Sequence, residues 1–373
     1  MKRIKILSVF GTRPEAIKMA PLVKELEKIL DIESKVCVTA QHREMLDQVL
    51  EIFDIIPDYD LNIMKEKQTL SLITTNVLTS LEEIFKIEKP DMVLVHGDTT
   101  TTFAASLSAF YSKVKIGHVE AGLRSYDKYS PFPEEMNRRL TANLADLHFA
   151  PTNKNRDNLL KEGVNEESIL ITGNTVIDAM KYTIRDNYLF NNKNLNNIDF
   201  NKKVIMVTAH RRENWDQGID NICRALLELK KTNKDIQIVY LVHLNPVVKN
   251  IVYSYLEGID GIHLVAPLDI KDTHNLMKKS YLILTDSGGI QEEAPHLGKP
   301  VLVLRDITER IEAIEAGTVK LVGTNNDIIV KEASILLNNK EEYQKMSKAS
   351  NPYGDGKASI RIVNNILKFF KTE

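Results

Sequence analysis

Two cysteines in 373 residues, Cys37 and Cys223, stand far apart inside apolar segments. They exclude a disulfide framework and a thiolate metal site, and they fit a reducing cytoplasm. No apolar run approaches the length that crosses a bilayer. The short run behind Met1-Lys2-Arg3-Ile4-Lys5 ends at Phe10, before it would make a signal core. Neither sign of charge dominates: 49 Lys and Arg face 51 Asp and Glu, for a net charge of −2. No bulk field therefore draws the chain to nucleic acid or to a membrane surface, and any anionic ligand must be met by local cations. The G-x-G-x-x-G dinucleotide fingerprint is missing after the first strand-like run, which argues against a bound nicotinamide. No short repeat, collagen pattern or coiled-coil heptad is visible.

What remains is an ordinary globular composition, 43% hydrophobic and 27% charged, on a chain long enough for two domains. Short β-branched runs alternate with longer amphipathic stretches. Ile4–Phe10, Glu33–Thr39, Met92–His96, Lys115–Val119 and Leu147–Ala150 read as buried strands, with helices such as Ala16–Leu30, Thr69–Lys86 and Thr101–Tyr111 between them. The scheme repeats with Val204–Thr208, Ile236–Val242, Ile262–Val265, Leu282–Thr285, Val301–Leu304 and Val319–Leu321, and ends on a helix, Ser359–Phe370. Such alternation predicts an α/β chain of two Rossmann-like domains, with parallel sheets facing a central cleft. The Asn-rich stretch Tyr182–Lys203 reads as a linker or surface excursion.

In doubly wound sheets ligands sit at the carboxyl ends of strands, and polar groups collect there in this sequence. Gly11-Thr12-Arg13-Pro14-Glu15 opens a helix, and Arg13 and Lys18 are either an anion site at its N-terminus or solvated surface charges. Asp98 follows the Met92–His96 strand, where it can cap the next helix or serve chemistry. Glu120 follows Lys115–Val119, with Arg124 as a structural partner in the bland reading. Glu134 starts a helix after Pro131-Phe132-Pro133, and there an i,i+4 pair with Arg138 is the bland reading. Singly each carboxylate says little. Together, on neighbouring loops of one half, Asp98, Glu120 and Glu134 favour a proton-transfer site. The second half offers anion-binding groups: His210-Arg211-Arg212 after one strand, the Ser287-Gly288-Gly289 turn after another, and Arg305 and Arg310 after a third. Glu293 can accept ribose hydroxyls, and Pro295 should shorten the helix that contains it.

These motifs, with His96-Gly97-Asp98-Thr99-Thr100, His118-Val119-Glu120-Ala121-Gly122-Leu123-Arg124 and Thr208-Ala209-His210-Arg211-Arg212-Glu213-Asn214, resemble the non-hydrolysing UDP-N-acetylglucosamine 2-epimerases from Gly11 to about Gly356. The resemblance implies a GT-B-like fold. It divides the chain into residues 1–175 with the catalytic carboxylates, residues 176–355 for UDP binding, and a terminal helix, residues 356–373, packing back on the first domain. It also implies a homodimer acting on a UDP-sugar, with no cofactor and no metal. The residues it assigns to the substrate are Arg13, Lys18, Asp98, Glu120, His210, Ser287, Gly288, Gly289, Glu293 and Arg310. Asp98, Glu120, Glu134 and His210 would carry the chemistry. Gln41, His42, Arg211 and His243 match a regulatory nucleotide-sugar site, where Glu44 and Lys67 depart from relatives; Ile311 replaces the family's proline after Arg310. The implied reaction is reversible epimerisation at C2, through 2-acetamidoglucal, serving cell-surface polysaccharide synthesis. The alternatives are a hydrolysing epimerase releasing N-acetylmannosamine and UDP, a GT-B glycosyltransferase, or a non-catalytic nucleotide-sugar-binding protein.

Overall fold

The computed structural model describes residues 3–40, 43–63, 68–215 and 217–372. The chain forms two compact units, Met1–Tyr182 with Tyr353–Glu373, and Thr183–Pro352.

The first unit holds a parallel sheet of seven strands: β1 (Ile4–Phe10), β2 (Ile32–Val38), β3 (Tyr59–Asp60), β4 (Met92–His96), β5 (Lys115–Val119), β6 (Leu147–Ala150) and β7 (Ile169–Ile171). Their spatial order is β3-β2-β1-β4-β5-β6-β7. Alternation along β1 sends Ile6 and Phe10 into one core layer and Leu7 and Val9 into the layer on the opposite face. Helices Arg13–Leu26 and Ala358–Thr372 cover the first face, while Leu70–Glu88 and Thr100–Tyr111 cover the second. The last helix buries Ile362, Val363 and Ile366 completely or nearly so, about 1.5–3 kcal/mol of apolar burial each before entropy is counted.

The unit boundaries fall after Tyr182 and Pro352, and helix Thr175–Thr183 is stitched to the returning chain. Asp178 accepts the backbone N–H groups of Ala358 and Ser359, at 3.0 Å each.

The second unit's sheet runs β10 (Ile262–Val265), β9 (Ile236–Leu241), β8 (Lys203–Thr208), β11 (Leu282–Thr285), β12 (Val301–Val303) and β13 (Val319–Leu321), again all parallel. Strand order reverses between β1 and β4 in one sheet and between β8 and β11 in the other. In each unit taken by itself, the residues following those two strands are therefore where a ligand crevice opens.

Residues 182–203 are not a loose linker. Phe190, Leu195 and Ile198 are buried, and Asp272 accepts from the Tyr188 hydroxyl and from the backbone N–H groups of Asn191 and Asn192, each at 2.9 Å. Pro295 acts as expected: the α-helix Gly288–Glu293 stops and a 3-10 turn, Ala294–Leu297, follows. No helix among the described residues is long and apolar enough to cross a membrane.

Candidate active site

In the first unit the site is built on the loops after β1, β4 and β5. Glu15 is the knot between two of them. It closes a capping box with Thr12, and its buried carboxylate accepts from Gly11 N (3.1 Å), Thr12 N (2.8 Å), Thr12 Oγ1 (2.8 Å), Thr99 Oγ1 (2.7 Å) and Thr102 Oγ1 (3.3 Å). Burial pushes its pKa up despite those donors. Gly11 cannot be replaced cheaply, since a Cβ there would lie 1.8 Å from Thr39 Oγ1.

Asp98 does not cap the following helix. Thr99 does, accepting from Thr102 N at 3.1 Å, which leaves the Asp98 carboxylate for Arg138: its Oδ2 receives Nε at 2.8 Å and Nη2 at 2.6 Å. Burial raises the Asp98 pKa, and the Arg138 guanidinium opposes it. Arg138 also reaches the fully buried Glu135 at 3.1 Å, so its partners are Asp98 and Glu135, and the expected i,i+4 pair with Glu134 does not form. The half-buried Glu134 carboxylate makes no ion pair or hydrogen bond among the described residues.

Glu120 sits at φ +61°, in the left-handed region that a residue with a side chain occupies at a cost of about 1–3 kcal/mol. Its partner is Lys18, not Arg124. Arg124 is drawn to Glu162 through two bonds of 2.9 and 2.7 Å, whereas Glu120 Oε1 takes the Lys18 ammonium and the Asn174 amide, the latter at 2.9 Å. Oε2 lies 3.5 Å from the His96 Nε2. Burial drives the His96 pKa down to about 4, so this ring is neutral at ordinary pH. Gly97, at φ +66°, leaves room beside the same carboxylate, as a Cβ would stand 3.3 Å from Oε2. Arg13 is half-buried at the start of helix Arg13–Leu26.

The second unit gathers its groups after β8, β11 and β12. His210 follows β8, and its ring stacks nearly parallel on His243, with centroids 5.5 Å apart. Ser287 heads the short helix Gly288–Glu293 without a side-chain cap bond. Arg310 lies against Gly288, where a Cβ would be 3.4 Å from its guanidinium carbon, and it is held by Glu292 at 2.7 Å and Glu309 at 3.1 Å. Arg305 is tied to Glu213 and Glu309, at 2.6 and 2.9 Å. Glu293 Oε2 stands 3.3 Å from Nε2 of the buried His274. Arg211 is 4.0 Å from Glu309. Gln41 and His42 lie outside the described residues, as do Lys67 and the Glu44 side chain, so the regulatory grouping is seen only in Arg211 and His243.

Four residues escaped the sequence reading. Arg138 was read as a helix-surface cation, and His96 was quoted only as part of a motif. Asn174 carries no local signal at all. Asp286 does carry one: it is a carboxylate directly after a buried strand, the same feature that singled out Asp98 and Glu120. The structure shows it fully buried, with Oδ2 accepting from the backbone N–H groups of His210 and Arg211 at 2.7 Å each.

Comparison with known proteins identifies the family. A family model described as UDP-N-acetylglucosamine 2-epimerase matches residues 24–367, most of the chain. A Clostridium acetobutylicum protein is 67% identical over 371 residues, covering 99% of this chain and 96% of that one. The UDP-N-acetylglucosamine 2-epimerase of Bacillus subtilis is 58% identical over 367 residues, covering 98% and 96%. The crystal structure of UDP-GlcNAc 2-epimerase from Neisseria meningitidis bound to UDP-GlcNAc superposes with a TM-score of 0.86 at 54% identity, covering 98% of this chain and 100% of that one. With identity above half over nearly the whole length, the chain belongs to the UDP-N-acetylglucosamine 2-epimerase family.

Proposed function

We propose that the protein interconverts UDP-N-acetylglucosamine and UDP-N-acetylmannosamine without hydrolysing either, by expelling UDP and adding it back. The observation that carries this reading is the pair Asp98 and Glu120, closing adjacent strands and each held by its own cation, Arg138 and Lys18. Carboxylates fixed in this way are preorganised to stabilise positive charge on a sugar ring and to move protons.

The C2 hydrogen of the sugar is not acidic, because no carbonyl adjoins it. Inversion by elimination avoids that obstacle. The C1–O bond breaks with its electron pair leaving on the β-phosphate, a proton departs from C2, and the C2–H electrons become the C1=C2 bond of 2-acetamidoglucal. UDP then returns to C1 while a proton arrives at C2 from the opposite face. Asp98, Glu120 and Glu134 serve the ring and its protons. Lys18, Arg13, His210, Arg310 and the Ser287-Gly288-Gly289 turn meet the diphosphate, where charge grows as the bond breaks. Glu293 is suited to the ribose hydroxyls. The buried thiols Cys37 and Cys223 accord with a cytoplasmic enzyme, and a homodimer is the expected assembly.

The reading is tested with UDP-N-acetylglucosamine in heavy water and no added nicotinamide. The expected product is UDP-N-acetylmannosamine carrying deuterium at C2, with traces of UDP and 2-acetamidoglucal on long incubation. Free N-acetylmannosamine would instead identify a hydrolysing enzyme, and product retaining its original C2 hydrogen would refute elimination.

A further inference from the structure

The fully buried Asp286 carboxylate stands at the switch point of the second sheet, and its two oxygens face different tasks. Oδ2 takes three donors: His210 N and Arg211 N at 2.7 Å each, and Asn214 Nδ2 at 3.2 Å. These anchor the loop after β8. Oδ1 is also buried, and the group that reaches it is the His210 imidazole, with Nδ1 at 3.1 Å. That approach has hydrogen-bond length but not hydrogen-bond direction in this conformation, Oδ1 has no other hydrogen-bond partner among the described residues, and the ring is half exposed. Burial by itself would raise the Asp286 pKa, yet the side-chain and backbone donors of His210 and Arg211 hold it below the usual carboxylate range. The acceptor beside Nδ1 is therefore an anion. His243 covers one face of the same ring, and Trp215 Nε1 donates to the His210 carbonyl at 2.8 Å.

We propose that Asp286 is a positioning residue for His210: it keeps the proton on Nδ1, so that Nε2 presents its lone pair to the substrate and can take up a proton while the resulting imidazolium stays paired. This rests on the reading that His210 works at the site described above. An anionic acceptor at Nδ1 selects the Nδ1–H tautomer and orients the ring about its own bond. It also stabilises the cation formed when Nε2 is protonated, which favours His210 as a group that gains positive charge beside a departing diphosphate.

Asp286→Asn tests this sharply, because its amide can sit only one way. Two backbone N–H groups converge on the Oδ2 position, so the amide oxygen must stay there and the NH2 group must face Nδ1. A donor at that place moves the imidazole proton to Nε2. The measurement is nitrogen NMR of protein labelled in its nine histidines, with the His210 signal assigned by its loss in His210→Gln. The unliganded wild type should carry the proton on Nδ1 when neutral, and Asp286→Asn should carry it on Nε2. Turnover in Asp286→Asn should fall about 10–100-fold, as for other residues that orient a working histidine. It should fall no further in the His210→Gln background.

A wild-type His210 protonated on Nε2 would overturn the proposal, even if Asp286→Asn failed to fold. So would an equal loss from Asp286→Asn with and without His210, which would mark Asp286 as a loop anchor alone. The tautomer is read without substrate, so it decides the pairing whatever happens with UDP-N-acetylglucosamine. A wild type that fails to epimerise would count against the proposed function instead.

Discussion

Replacing Asp98 by Asn should separate catalysis from folding. The substitution keeps the shape of the side chain and removes one negative charge. Three features of the structure say that the fold survives. The helix cap belongs to Thr99, Asn137 bonds the Asp98 backbone carbonyl at 2.9 Å, and Arg138 keeps Glu135 at 3.1 Å. The energetic terms oppose one another. The attraction to Arg138 is lost, but so is the cost of holding an ionised carboxylate at a side chain only 27% exposed. The sign follows from the raised pKa, which burial dominates. A carboxyl whose folded pKa exceeds its unfolded one binds its proton more tightly in the folded state. Above that pKa the charge therefore weakens the fold, and the penalty fades as pH falls through it. Unfolding free energy near neutral pH should accordingly change by no more than about 1 kcal/mol in either direction. Turnover should drop at least about 100-fold, equivalent to about 2.7 kcal/mol on the barrier. The assay pairs the rate of UDP-N-acetylmannosamine formation, followed by NMR, with a urea melt followed by circular dichroism. Turnover within about threefold of wild type would remove Asp98 from the chemistry. A turnover loss matched by an equal loss of folding free energy would make its role structural.

Asn174→Ala removes the amide that donates to Glu120 Oε1 but leaves Lys18 in place. We expect turnover to fall about tenfold, in the range of a lost positioning bond, and stability to fall about 1 kcal/mol because Asn174 Oδ1 also holds Val176 N. Asn174→Asp should keep that cap yet repel Glu120, leaving it more stable than the alanine variant and slower; the reverse ranking, in kcat and urea midpoint, would refute the assignment. Asp355 is held by Arg361 at a pKa of about 2, depressed from 3.8. Its contribution is present above about pH 4 and disappears as pH falls toward 2. The melting temperatures of wild type and Asp355→Asn should thus differ at neutral pH and converge in acid. The gap is worth about 1 kcal/mol or less because both partners are half exposed. A gap that persists at the acid end would rule out this pair as its cause.

Much of the scaffold was legible because a buried parallel strand is a short, continuous β-branched run, and seven such runs, from Ile4–Phe10 to Val319–Leu321, match their strands end to end. Strands β3 and β7 were missed: Tyr59–Asp60 and Ile169–Ile171 are too short to show a period, and only the neighbouring strand makes them strands. The Asn-rich segment, read as a linker or surface excursion, begins at the unit boundary and is mostly exposed, but its anchoring was not legible, for a related reason. Its buried Phe190, Leu195 and Ile198 are not spaced as a helix or strand face, since Asp272, far along the chain, fixes the backbone instead.

Partner choice was the least legible feature, and the errors share a cause. Arg124 was matched to Glu120 and Arg138 to Glu134 because those residues are near in sequence, a rule suited to exposed helix faces where solvent makes pairs weak and local. Both arginine side chains are almost wholly buried, at 0% and 11% exposure, and a buried cation must take whichever carboxylate the fold brings within bonding distance. Arg124 therefore crosses to Glu162, and Arg138 reaches back to the end of β4. That second choice has a chemical consequence. With Glu134 left out of the ion-pair network of the described residues, the three carboxylates are not equivalent: Asp98 and Glu120 are pinned beside cations, whereas Glu134 is not.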